Sequence, residues 1–102
     1  MTPDKWVVLK IEDGYKVFGS IGEGYLTGAM WQLNSGIARV EDVDSHFLFH
    51  GHSGSVYTCR KGSYGVASLH NQHVLSRLLE QPVNISLMSV DTDWLNLLKE
   101  SK

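Results

Sequence analysis

The feature that most constrains this chain is a pair of apolar runs, Lys5 to Glu12 (KWVVLKIE) and Tyr15 to Ile21 (YKVFGSI), separated by Asp13-Gly14. β-Branched and aromatic residues dominate both runs, and such side chains suit a pleated, half-buried surface. Asp-Gly accepts the positive φ angles of a tight type I′ turn, so the two runs are predicted to form a β-hairpin. A turn at these two residues pairs Glu12 with Tyr15. Because side chains alternate along a strand, Trp6, Val8, Tyr15, Val17 and Ile21 then share one face. Val7, Leu9, Ile11 and Phe18 take the other. Both faces are apolar, so the hairpin must lie centrally or meet another subunit.

Downstream, the glycines Gly19, Gly22, Gly24 and Gly28 mark a mobile loop with Tyr25 at its centre, suited to covering a groove or clasping a partner. Ala29 to Asn34 alternates, with Ala29, Trp31 and Leu33 directed inward. Ser35-Gly36 reads as a turn or bulge, followed by a more polar strand from Ile37 to Val43. Ser45 to His50 and Ser55 to Lys61 flank Gly51-His52-Ser53-Gly54, a second hairpin. After Gly65 the periodicity changes. Val74, Leu75, Leu78 and Leu79 recur at helical spacing, Ser68 or Asn71 serves as N-cap, and Pro82 stops the helix. Asn84 to Val90 reads as a last strand. Asp91 or Thr92 then caps a short helix carrying Trp94, Leu95, Leu97 and Leu98, which must dock because it is too short to stand alone. The expectation is a single α+β domain spanning residues 1–102. Its antiparallel sheet has five to six strands, a hairpin plus a meander, with one helix after strand five and a short C-terminal helix.

Composition excludes several classes. The net charge of −2 includes no basic cluster able to displace phosphate counterions, so no nucleic acid is expected as partner. The chain has one cysteine, Cys59, hence no intrachain disulfide, which suits the reducing cytoplasm. The polar N-terminus and the lack of an apolar run of about 18 residues predict no membrane partner.

Chemistry rests on the histidines. His46, His50 and His52 are evenly spaced and project to one side of a continuous strand. Any even-length loop at Gly51–Gly54 adds Tyr57 and Cys59 to that side. Imidazoles and a thiolate are zinc ligands, but His46 and His50 would stand roughly 13 Å apart along an extended strand. The metal candidates are therefore His50 and His52. The competing reading makes the histidines polar tips on an open sheet face, with Phe47 and Phe49 filling the core behind them. Cys59 has two readings as well, a nucleophile served by a histidine on the adjacent strand or a small buried hydrophobe. His70 and His73 read as a surface pair on the first helix. There is no Gly-X-Ser-X-Gly elbow and no phosphate-binding loop, and no cofactor is implied.

Tyr15-Lys-Val-Phe-Gly-Ser with Gly24-Tyr-Leu-Thr-Gly, and Trp31-Gln-Leu-Asn-Ser-Gly-Ile with Phe49-His-Gly-His-Ser-Gly-Ser, resemble small uncharacterised bacterial proteins carried on mobile gene cassettes or in accessory genomic regions. That resemblance implies a bacterial accessory protein and no site residues.

The leading expectation is a non-catalytic binding or protein-interaction module, homo-oligomeric, because no catalytic constellation is present and aromatic surface is in surplus. Tyr25, Trp31, His50, His52, Tyr57 and Cys59 are the candidate ligand- or partner-binding residues. One alternative is a small hydrolase-like enzyme or metal-binding protein using His50, His52 and Cys59 with a carboxylate such as Asp44. Another is a small-molecule-binding protein with a tryptophan-lined pocket between sheet and helices.

Overall fold

The computed structural model describes residues 2–21, 30–66 and 69–100. Its elements are β1 (Lys5–Ile11), β2 (Gly14–Ile21), β3 (Met30–Leu33), β4 (Ile37–Val43), β5 (His46–Gly51), β6 (Val56–Arg60), α1 (Leu69–Leu79), β7 (Ile85–Leu87) and α2 (Trp94–Glu100). The mixed α+β class and the antiparallel pairing agree with the sequence. The finer organisation does not. Among the described residues seven strands form two sheets, ordered β3-β2-β1-β7 and β4-β5-β6, and the first helix follows the sixth of these strands.

The break between sheets falls at Asn34–Gly36. The buried Asn34 carboxamide oxygen accepts from the Val17 N–H at 2.9 Å and the Gly36 N–H at 3.3 Å, ending β3 and turning the chain. Gly36 adopts φ 126°, and a Cβ there would lie 2.7 Å from the His52 ring. Only glycine suits that corner. β4 therefore starts a second sheet instead of extending the meander.

The first hairpin forms with its turn one residue early. Ile11 pairs with Gly14 and Lys10 with Tyr15, leaving Glu12-Asp13 as the turn with Glu12 at φ 56°. Tertiary contacts select this turn over Asp-Gly. The Glu12 N–H donates to the Asn84 carbonyl at 2.8 Å, and its carboxylate accepts from the Asn84 N–H at 3.3 Å. The register moves by two, so the side chains keep their predicted faces.

Each face of the hairpin meets its own core. Trp6, Val8, Tyr15 and Val17 pack against Ile37, Phe49, Tyr57 and Cys59 of the second sheet and Trp94 and Leu98 of α2. Val7, Leu9 and Phe18 pack against Leu75 of α1, with Val74, Leu78 and Ile85 around them. The doubly apolar hairpin is thus covered within the chain, and no second subunit is needed to explain it. α2 docks on its own chain. Its cap is Asp93, whose carboxylate accepts from the Asn96 N–H at 3.3 Å, rather than Asp91 or Thr92. Asn71 lies buried within α1, and Ser68 lies outside the described residues.

Tyr64 joins these layers. The segment carrying it runs beside Trp6, with the Trp6 N–H donating to Ser63 and the Gly65 N–H donating to Trp6. Further along the same edge of β1, β7 takes over, and the Met88 N–H donates to the Val8 carbonyl at 2.9 Å. The reciprocal bond is replaced by a side chain: the Val8 N–H donates to the Tyr64 hydroxyl at 3.2 Å, and that hydroxyl donates to the Met88 carbonyl at 2.6 Å. Burial pushes the phenol above its ordinary range, against the opposing effect of the Val8 bond. Tyr64→Phe should remove both bonds at once and destabilise the fold by about 1–3 kcal/mol, read from urea unfolding monitored by tryptophan fluorescence.

Candidate functional site

The second sheet decides the fate of the predicted site. In β5 and β6, Phe47 pairs with Cys59, Phe49 with Tyr57 and His50 with Val56. The connection from Gly51 to Ser55 is odd in length, so Tyr57 and Cys59 share the face of the phenylalanines. His46 and His50 take the opposite face with Thr58 and Arg60. The expected convergence of His50 and Cys59 is overturned by this parity, and with it the geometry that the hydrolase alternative requires. The reading of Phe47 and Phe49 as core and His46 and His50 as the open face matches the structure. Phe49 is fully buried and Phe47 packs against the same cluster.

Cys59 is enclosed between the sheets, and burial pushes its thiol up to about 12. At neutral pH it holds its proton and is a poor nucleophile. Tyr57 is buried beside it, and its hydroxyl donates to the Gln32 side chain at 3.4 Å. Asp44 occupies the β4–β5 turn at φ 68°, exposed, whereas Cys59 is buried.

His50 and His52 are engaged separately. The His50 Nε2–H donates to a Glu41 carboxylate oxygen at 2.5 Å, and Arg39 donates to the same oxygen at 3.0 Å. An ionised carboxylate only accepts, which places the His50 proton on Nε2. The hydrogen bond from His50 is the main cause holding the Glu41 carboxyl below its ordinary range. Partial desolvation opposes it, and the Arg39 charge assists. His52 lies in the β5–β6 turn with its ring against Gly36, and its backbone N–H donates to the Gly36 carbonyl at 2.9 Å. The adjacent Ser53 N–H donates to the Ser35 hydroxyl at 3.0 Å, so this turn clamps the corner between the sheets. Among the described residues, no group of three or more His, Cys, Asp and Glu is placed to hold a metal ion. His70 and His73 are both exposed on α1.

The aromatic candidates divide in the same way. Trp6 and Trp94 fill the core with ring centroids 6.0 Å apart. Trp31 stands on the edge strand β3, 37% exposed and stacked on Phe18 at 5.4 Å, not directed into a closed interior. Tyr25 lies outside the described residues. An open groove of about 390 Å³ is lined by Lys10, Glu12, Asp13, Asn84, Ile85 and Ser86. Its polar, mixed-charge rim is unlike the enclosed apolar pocket a small-molecule site requires.

That groove borders the surface the sequence reading passed over. Among the described residues β7 pairs only with β1 and ends the larger sheet on one side. Around it Val83, Leu87 and Val90 are 48%, 47% and 57% exposed. From Gln81 to Val90 no residue carries a charge. The signal was legible in that neutral stretch between Glu80 and Asp91, since sheet edges are usually guarded by charge.

Two outcomes follow from this geometry. Cys59 in the native protein should resist a soluble thiol reagent at pH 8 and react at a rate limited by unfolding, measured by intact mass. Glu41 has a depressed folded-state pKa, so its contribution to stability is present above the ordinary carboxylate range and fades as pH falls through the folded value. Glu41→Gln should therefore flatten the acid side of the stability–pH curve below about pH 5, by a small amount that added salt erases. No family model, curated protein or solved structure matches this chain.

Proposed function

We propose that this chain is a non-catalytic protein-interaction module whose contact surface is the edge around β7. The supporting observation is the exposed apolar Leu87 on β7 with exposed Val83 and Val90 flanking the strand, in a stretch from Gln81 to Val90 that carries no charged residue. Exposed apolar side chains beside a strand edge that no described residue pairs favour a protein partner, because a strand laid there gains main-chain hydrogen bonds and apolar contact together. The catalytic alternative lacks its central pair, since His50 and Cys59 stand on opposite faces of one sheet.

His50, Glu41 and Arg39 form a polar row on the open face of β4–β6, alongside half-buried Leu48 and Val56. An antiparallel sheet wets one face in this way without further purpose.

Native mass spectrometry of the untagged protein taken directly from lysate tests the proposal. The expected species is a protein assembly heavier than the 11.4 kDa single chain, lost on Leu87→Lys. A bare single chain at every concentration, or one carrying only a small-molecule adduct, would overturn it.

A further inference from the structure

We infer that the occupant of the β7 edge is a second copy of this chain, joined by antiparallel β7–β7 pairing in which Ile85 of each protomer faces Leu87 of the partner subunit. The inference rests on the interaction reading above and assigns its partner and register.

The hydrogen-bond pattern sets the register. The Met88 N–H donates to Val8 and the Glu12 N–H donates to Asn84, so positions 84, 86 and 88 direct their backbone groups toward β1. Alternation then turns the N–H and C=O of Ile85 and Leu87 outward. No described residue pairs with that outer edge. With the two-fold axis at Ser86, Ile85 and the partner's Leu87 exchange both bonds, and the symmetric pair does the same. Every outward group of the strand is then satisfied. An isologous contact of this kind needs no complementary sequence beyond its own.

Side chains and charge favour the same arrangement. Ile85 and Leu87 project toward the α1 face, opposite Ile11 and Leu9 of β1. Pairing sets Leu87 beside the partner's Ile85, an apolar cross-strand contact on a face that continues from one sheet into the next. Edges normally avoid self-pairing by carrying lysine or inward charge. Here Gln81 to Val90 presents no like charges to repel, and the net charge of −2 opposes association only weakly. The strand is short, so Val83, Leu87 and Val90 must add apolar contact beside the ladder for the dimer to persist.

Ser86 supplies the test. In this register Ser86 and its symmetry mate form a non-hydrogen-bonded pair with Cα atoms about 4.5 Å apart, within the range of about 4.4–6.8 Å that a disulfide spans. The full-length Ser86→Cys variant, with oxidised glutathione as oxidant, should convert to a covalent dimer. Gly62→Cys, at an exposed turn with open space around it, should not, and buried Cys59 adds no background. By analytical ultracentrifugation the wild type should sediment as a dimer, and Leu87→Lys as a folded monomer at concentrations that keep the wild type assembled. A wild type that remains monomeric and captures a different protein in a Leu87-dependent way overturns the second copy while the interaction reading stands. A dimer indifferent to Leu87→Lys and not trapped through Ser86→Cys overturns the β7 contact. A monomer with no protein partner overturns both.

Discussion

The structure depends on the burial of one side chain, Trp6, which is 1% exposed at the junction of every layer but one. Its ring lies 4.8 Å from Tyr64, 5.4 Å from Phe49, 6.0 Å from Trp94 and 6.3 Å from Phe47. Tilted and edge-on rings at these separations match quadrupoles while excluding water. The indole N–H donates to the Arg60 carbonyl at 2.7 Å, so the ring is buried with its polar atom satisfied. One residue of β1 thereby reaches β5, the end of β6, the Tyr64 segment and α2. The short α2 helix exists because Trp94 inserts into this group, which supplies the docking energy that its own length cannot.

Tyr64 extends the same logic to the sheet edge. It lets two unrelated segments share one side of β1, first residues 63–65 and then β7, with its hydroxyl bridging the gap between them. The consequence is a β7 that is brief, stitched at both ends and, among the described residues, without a partner on its outer side. Glu12 holds one end through Asn84, accepting a left-handed backbone to do so. The properties that make β7 a candidate interface come from this construction.

The histidines illustrate how small a structural detail separates two chemistries. Adding or removing one residue between Gly51 and Ser55 would invert β6 and carry Cys59 to the face of His50. With the loop as it is, the thiol joins the core, the histidines face outward, and Glu41 becomes the partner of His50. Strand parity, rather than proximity along the chain, determines which groups can act together.

Much of the local structure was legible because it depends on near neighbours. Alternation assigned Trp6 and Val7 to opposite faces, helical spacing placed Val74, Leu75, Leu78 and Leu79 on α1, and Phe47 and Phe49 were identified as core. These readings survive errors of turn placement, since a register shift of two leaves every side chain on its face. The candidate site was much less legible. His50 and His52 were picked out without Glu41 or Gly36 as their partners, and Val83, Leu87 and Val90 were not picked out at all. Pairing across sheets, the division of the strands at Gly36, the odd loop before β6 and the exposed edge of β7 all depend on contacts between residues far apart in the chain. Spacing and apolar character along the chain mark which side chains need burial. Which of them meet is set in three dimensions, because closure of the two sheets around Trp6 fixes the strand parity and the edges.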